Sequence, residues 1–392
     1  MRSNSNILWL PAWYPGKENF LNGDFTDRHA RATSKKVNIS VLFVSKDATL
    51  GFNRMYTEKE QSDGLTIYRG YYNTTDNLGL FSKIRSVQLY LTLLFRLYKI
   101  AKNEQGSFQL VHVHISLRQG LLAQWLKWKY QIPYVITEQN SWFMPVGDQY
   151  YTHSLILRKI IRSNFKNANA VHVVSASLGR ALQEKFKFIK HFTVMPNVVD
   201  TTIFFPVKSQ SEASTNTFFC ITSDVYHKNT DGILRAFSIY LKNGNTGILR
   251  IAGPNYEDLV LLAMQLSMKD HVKFLGAVTY KEVAQNMQAA DALIFFTRYE
   301  TFGCVLAEAL CCGTPVIASR IPVLQENLQE HENALFVEPE NEEDLAEKMA
   351  AFSSQKHLFL QASIARQAHD EYQYSKVGED LFKFYKTVLA EL

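Results

Sequence analysis

The sequence predicts an α/β protein built of two Rossmann-like domains with parallel sheets, and three observations predict it. Short runs rich in Val, Ile and Phe alternate with helix-length amphipathic segments from end to end. That rhythm is the pattern of parallel strands joined by right-handed crossovers and covered on both faces. At roughly 100–200 residues per domain, a chain of 392 residues has room for two or three cores. Both the strand count and the sign of the charge reset near residue 200. Residues 1–200 hold 26 Lys+Arg against 13 Asp+Glu, while residues 201–392 hold 16 against 24.

In order along the first domain, 1–200, strands are predicted at Ile7–Leu10, Ile39–Val44, Leu110–His114, Tyr134–Thr137, Ala170–Val174 and Phe192–Met195. Amphipathic helices are predicted at Phe25–Lys35, Ser82–Lys102, Leu117–Tyr130, Ser154–Asn167 and Ser177–Phe186. A linker follows at Pro196–Glu212, marked by Pro196-Asn197, Pro206 and a polar run over Ser209–Asn216. The second domain, 201–374, repeats the alternation with strands at Phe218–Thr222, Leu249–Ala252, Val272–Leu275, Ala292–Thr297, Pro315–Ala318 and Ala334–Val337. Residues 375–392 read as a last amphipathic helix, expected to pack back on the first domain.

Composition narrows the class. With 46% hydrophobic residues, 18 Gly and 10 Pro, the chain is neither disordered nor collagenous. The four cysteines, Cys220, Cys304, Cys311 and Cys312, lack ligand-like spacing, so reduced thiols in a reducing compartment are expected. Met1–Asn6 is polar and Ile7–Leu10 is too short for a signal-peptide core. No stretch reaches the ~20 apolar residues of a membrane span. The expected location is the cytoplasm. The basic half interleaves Lys83, Arg85, Arg96, Lys99 and Lys102 with Leu89, Leu93 and Leu97, and Arg158, Lys159, Arg162 and Lys166 follow on a later helix. Such faces suit peripheral contact with the inner, anionic face of a membrane, or are solvated faces over a core. Nucleic acid is not expected, because no recognition module accompanies the charge.

The most specific chemical signal runs from Arg298 to Ala318: Glu300, Phe302-Gly303-Cys304-Val305, Glu308, Gly313 and Pro315. The strand before it delivers Glu300 to the carboxyl edge of the sheet. A helix then begins near Phe302–Cys304 and stops at Gly313. First-turn amides at the positive end of that helix suit a phosphate. Glu308 on the helix suits the vicinal hydroxyls of a ribose, and Glu300 ahead of it suits a second polyol. Two carboxylates eight apart across a helix start therefore fit a nucleotide-sugar, against the plain alternative of two surface glutamates.

The flanking residues complete a run that resembles the donor motif of the family 4 retaining glycosyltransferases (glycosyl transferases group 1). Glu300, Phe302, Gly303, Glu308, Ala309, Gly313, Pro315 and Val316 all match it. Ordered matches continue along nearly the whole chain. They include Trp13-Tyr14-Pro15, Gly23-Asp24-Phe25, Val111–His114, Val135–Glu138, Pro196–Asp200, His227-Lys228-Asn229, Ile251-Ala252-Gly253 and Phe274-Leu275-Gly276. The resemblance implies the two-domain GT-B fold, its domains facing across a cleft. It implies transfer of a sugar from a nucleotide-diphosphate sugar, the donor substrate, to a hydroxyl of a glycan or lipid-linked acceptor, as in polysaccharide biosynthesis.

Carried over residue by residue, the resemblance implies that Glu300 holds the sugar and Glu308 the ribose. Lys228 and the amides of Gly303, Cys304 and Val305, beside Phe302, would hold the diphosphate. Gly23, before a helix expected to be capped by Asp24, would face the diphosphate from the first domain, and Gln139 would contact the reacting sugar. Gln139 stands where the family often has a histidine, and it cannot titrate. Thr222 and Ser223 stand where the family often has an arginine; Arg298 and Arg320 are the candidates to replace it. Pro322-Val323 replaces Gly-Gly, while Glu326 keeps the acidic position. No Asp-x-Asp occurs in the sequence, so no metal and no cofactor are expected. His112 and His114, two apart on one strand, face the same side and read as structural, with His114 the one able to touch substrate. An epimerase or phosphorylase on the same fold, or an inactive nucleotide-sugar-binding protein, are the alternative readings.

Overall fold

The computed structural model describes residues 5–17, 22–74, 79–146, 148–207, 215–254 and 256–391. Of the expected linker and the polar run after it, residues 208–214 lie outside the described residues. The chain divides into two compact units, Met1–Val198 with Tyr374–Leu392, and Val199–Gln373.

The first unit runs β1 (Asn6–Pro11), α1 (Asp24–Ser34), β2 (Asn38–Lys46), β3 (Met55–Ser62), β4 (Leu65–Tyr72), α2 (Gly79–Gln105), β5 (Leu110–His114) and α3 (Gly120–Tyr130). It continues through β6 (Tyr134–Glu138), α4 (Leu155–Asn167), β7 (Ala170–Val173), α5 (Ala176–Lys185) and β8 (Thr193–Val194). The sheet order is β3-β4-β2-β1-β5-β6-β7-β8. All neighbours are parallel except β3 and β4, which pair antiparallel. Strictly parallel sheets were expected, and this hairpin corrects that expectation. Its cause is local: β3 carries Glu58, Lys59 and Glu60 on a largely exposed edge, so no apolar run announces it. Asp63-Gly64, with Gly64 at φ 72°, makes the two-residue turn.

Helix starts follow their side chains. The Ser154 hydroxyl accepts from the Leu157 amide at 3.3 Å to begin α4, and Ser175 accepts from Leu178 at 3.2 Å to begin α5. Asp24, by contrast, is the first residue of α1 and not its cap. That place is taken by Gly23 at φ 74°, ψ 23°. A β-carbon on Gly23 would lie 2.3 Å from the carbonyl of Trp13, so the close approach of two backbones requires glycine here.

The second unit runs β9 (Asn216–Ile221), α6 (Val225–Lys228), α7 (Thr230–Lys242), β10 (Gly247–Ala252), α8 (Glu257–Gln265), β11 (Val272–Gly276) and α9 (Tyr280–Ala289). It continues through β12 (Ala292–Phe295), α10 (Cys304–Cys311), β13 (Val316–Ser319), α11 (Pro322–Gln325), β14 (Ala334–Val337), α12 (Glu342–Gln355) and α13 (Gln361–Tyr372). The order β11-β10-β9-β12-β13-β14 is parallel throughout. It reverses direction between β9 and β12, and in such sheets that reversal is where ligands bind, at the strands' carboxyl ends. In the first unit the same reversal falls between β1 and β5.

The last helix, α14 (Tyr374–Ala390), belongs to the first unit. Leu381, Phe384, Tyr385 and Val388 join the core formed by Ile7, Trp9, Val41 and Ile67. Gly378 lets α14 approach α1, since a β-carbon there would lie 2.4 Å from the Ala32 carbonyl oxygen.

Candidate active site

At the reversal of the second sheet, the turn after β9 and the loop after β12 are bound to each other. The Arg298 amide donates to the His227 carbonyl at 3.0 Å, and the Thr297 hydroxyl donates to the same oxygen at 3.0 Å. The His227 ring stacks on Tyr299, centroids 4.2 Å apart and nearly parallel, with Nε2 2.7 Å from the Tyr299 carbonyl. Lys228 precedes α7 and also ends the single turn α6 ahead of it. Asn229 then reverses the chain at φ 51° to start α7.

This junction places the Lys228 ammonium, partly buried, against the buried Glu300 carboxylate in an ion pair. His227 Nε2 lies 3.5 Å from the same oxygen, and the ammonium sits 5.0 Å from the centre of the Phe295 ring. Burial alone would raise the Glu300 carboxyl. The Lys228 charge, with the hydrogen bond and charge of His227, outweighs it and holds the group down to about 2. Glu300 is therefore a carboxylate at any working pH.

One turn further on, α10 begins at Cys304 with Gly303 as its cap, at φ 89°. A β-carbon on Gly303 would come within 3.2 Å of the Phe295 ring. The first i→i−4 bond of the helix is Ala307 to Gly303, at 3.2 Å. The amides of Cys304 and Val305 precede it, at the positive end of the helix. Glu308 is buried on the next turn. Phe302 is buried with its ring edge-on to Tyr372 at 5.8 Å, so it braces the loop and offers a ligand only its backbone. The cysteines are free thiols; burial pushes Cys220 and Cys312 up to about 12.

The two arginines considered as replacements are both engaged. Arg298 pairs with Glu340 at 2.8 Å and lies over the Tyr226 ring, and Arg320 pairs with Glu330 and Glu338 at 3.1 and 3.2 Å. His227 and Tyr299 were not assigned a role in the sequence. Their signal, a histidine directly before the lysine, shows only once the two loops are brought together.

In the first unit, Gly23 and Gln139 lie on the carboxyl side of the sheet. Gln139 is buried and its side-chain nitrogen has no partner. The neighbouring Glu138 carboxylate accepts from the amides of Gln139, Asn140 and Ser116 at 2.9–3.0 Å. Burial outweighs those three donors and raises it to about 7. His112 is structural: its ring nitrogens lie 2.5 Å from the Tyr385 hydroxyl and 2.6 Å from that of Thr137, which also meets His172 at 2.6 Å. His114 is buried against Trp9 at 4.0 Å, and both its ring nitrogens lack partners.

Fold and site together define the class. Two Rossmann-like units with 8- and 6-stranded sheets are the architecture of GT-B glycosyltransferases. Structures with this fold include the sucrose-phosphate synthase of Thermosynechococcus elongatus (TM-score 0.74, 16% identity, 99% of this chain and 100% of that one). They also include Anabaena HepE in complex with UDP and glucose (TM-score 0.70, 14% identity, 98% and 100%). Residues 57–203 match the model of Glycosyltransferase Family 4, and residues 202–371 match that of glycosyl transferases group 1. The chain belongs to this glycosyltransferase family. Among its relatives, the N-acetyl-alpha-D-glucosaminyl L-malate synthase of Bacillus anthracis is 22% identical over 83% of this chain and 85% of its own. The alpha-monoglucosyldiacylglycerol synthase of Streptococcus pneumoniae is 25% identical over 74% of each. Among the described residues, no helix is long and apolar enough to cross a membrane.

Proposed function

We propose that this chain is a retaining, metal-independent glycosyltransferase that moves a sugar from a nucleoside-diphosphate donor to a hydroxyl of a glycan or lipid-linked acceptor. The observation that carries the reading is the Lys228–Glu300 pair at the carboxyl ends of β9 and β12, one turn from the start of α10. A diphosphate placed there meets the ammonium and the helix's first-turn amides, charges already fixed where negative charge grows as the glycosidic bond breaks. Lys228 would exchange its carboxylate partner for the diphosphate, which leaves Glu300 to accept from sugar hydroxyls. Glu308 takes the ribose. In the first unit, Gly23 is assigned to the diphosphate and Gln139 to the sugar, as a hydrogen-bond donor and not a base.

The relatives' names include both a malate and a diacylglycerol product, so the acceptor is assigned by class only. For a lipid-linked acceptor, the outward face of α4 supplies an anionic-membrane contact: Leu155 and Ile156 are 67% and 73% exposed, ahead of exposed Lys159, Arg162 and Lys166. No cofactor is proposed. The test is a thermal-shift screen with uridine, guanosine and adenosine diphosphates, followed by product analysis with the matching nucleotide-sugars, with and without EDTA. One nucleotide should stabilise the protein, and transfer with retained anomeric configuration should survive the chelator. Stabilisation by none of them overturns the donor reading; loss of transfer with EDTA overturns metal independence.

A further inference from the structure

We infer that His227 is a positioning residue for the donor reaction: when a diphosphate draws Lys228 away from Glu300, the His227 imidazole takes over as the donor that holds the Glu300 carboxylate. The inference deepens the glycosyltransferase reading and rests on it.

Geometry sets the tautomer first. His227 Nε2 lies 2.7 Å from the Tyr299 carbonyl oxygen, and a carbonyl only accepts, so Nε2 carries a proton and donates. The same nitrogen lies 3.5 Å from Glu300 Oε1, the oxygen that faces the Lys228 ammonium. The ring is held flat on Tyr299, at an interplanar angle of 9°, and the Asp224 carboxylate accepts from the His227 amide at 3.0 Å. A small tilt of the imidazole therefore re-aims its N–H from the carbonyl to the carboxylate. The carbonyl left behind is not orphaned. The Thr297 hydroxyl lies 3.0 Å from the Tyr299 oxygen and 3.0 Å from the His227 oxygen, and the latter also accepts from the Arg298 amide at 3.0 Å. The hydroxyl can turn its one proton to Tyr299 while the other carbonyl keeps a donor. Both carbonyls stay satisfied, which keeps the cost of the exchange small.

The need for a second donor comes from burial. Glu300 is 7% exposed, and a carboxylate buried without a partner is strongly disfavoured. Burial by itself pushes its pKa up; Lys228 and His227 together hold it down. If Lys228 left with nothing in its place, diphosphate binding would bear the cost of a stranded charge. Glu300 would then take up a proton and lose part of its capacity to accept from sugar hydroxyls. The histidine on the other side of the same oxygen removes that penalty, and it does so without competing for the diphosphate that Lys228 receives.

A double-mutant cycle on nucleoside-diphosphate affinity tests this by titration calorimetry, with whichever of uridine, guanosine and adenosine diphosphate stabilises the wild type most. His227→Phe keeps a ring on Tyr299 but has no donor, and is expected to raise Kd about fivefold or more. His227→Gln restores an N–H and is expected to bind within about twofold of wild type. In Glu300→Ala there is no carboxylate to hold, so adding His227→Phe should change Kd by less than about twofold. Circular dichroism confirms that the variants fold. Equal weakening by His227→Phe with and without Glu300 assigns the histidine to structure alone and overturns the hand-over, as does no weakening in either background. If none of the three diphosphates binds the wild type or Glu300→Ala, the donor reading itself fails and the inference falls with it.

Discussion

A lysine and a glutamate 72 positions apart form the centre of the proposed donor site, and their pairing gives Glu300 a second role that the sequence alone does not show. Glu300 is the counter-ion that Lys228 holds before any ligand arrives. Removing it leaves the ammonium free for a diphosphate, so Glu300→Ala should bind nucleoside diphosphate as tightly as wild type or more so. Transfer should nevertheless fall about a thousandfold, because the sugar loses its fixed acceptor, a loss of the size seen when a preorganised polar contact is deleted. Glu308→Ala should behave oppositely. Loss of a ribose hydrogen bond worth about 1.4 kcal/mol raises the donor Kd about tenfold, with a smaller effect at saturating donor. Titration calorimetry and initial rates distinguish the two, and parallel losses in both variants would overturn this division of labour.

At the scale of elements, what the sequence discloses depends on how local the determining interaction is. Leu110–His114 and Ala334–Val337 are observed as strands at the expected bounds, because a run of buried apolar residues needs no information from elsewhere. The start of α10 was legible for the same reason: glycine before it and glycine after it are both local signals. The β3–β4 hairpin was not, since an exposed edge strand holding Glu58, Lys59 and Glu60 has no hydrophobic period. Nor was the role of His227, which is set by strand order bringing β9 beside β12. The outward face of α4, proposed as a membrane contact, lies between these cases. Its basic residues were visible, but only burial of Ile161 and Phe165 shows that Leu155, Ile156, Lys159, Arg162 and Lys166 share the outer side. This face should sediment with vesicles containing anionic lipid at low salt and release at high salt, as screened charges do. Leu155→Ser with Ile156→Ser should weaken that binding several-fold without altering nucleotide-induced stabilisation. Equal sedimentation by wild type and variant would remove α4 from the membrane.

For the molecule as a whole, the two units carry opposite net charge and also distinct buried titratable groups. His29, His112, His114 and His172 are all buried in the first unit. Burial holds each below the usual imidazole range, His29 down to about 4 and His172 to about 3, with His112 and His114 well below. Below about pH 6.5 the unfolded chain takes up these protons and the folded unit does not, so stability falls as the solution is acidified. Glu138 works the other way. Raised to about 7, it binds its proton in the folded state first, and adds stability as pH falls from about 7 toward 4.5. Four groups against one leave a net uptake of protons on unfolding near pH 5.5, so acidification destabilises the first unit. In the second unit, the contribution of Glu300 is complete above 4.5 and is lost only as pH falls through about 2, outside that window. All five tryptophans, Trp9, Trp13, Trp125, Trp128 and Trp142, lie in the first unit, so their fluorescence reports on it alone. The tryptophan-detected unfolding midpoint in urea should therefore drop markedly between pH 7.5 and 5.5. A midpoint that stays level or rises would mean that the buried histidines are charged in the folded unit, and the neutral relay from Tyr385 through His112 and Thr137 to His172 would have to be abandoned.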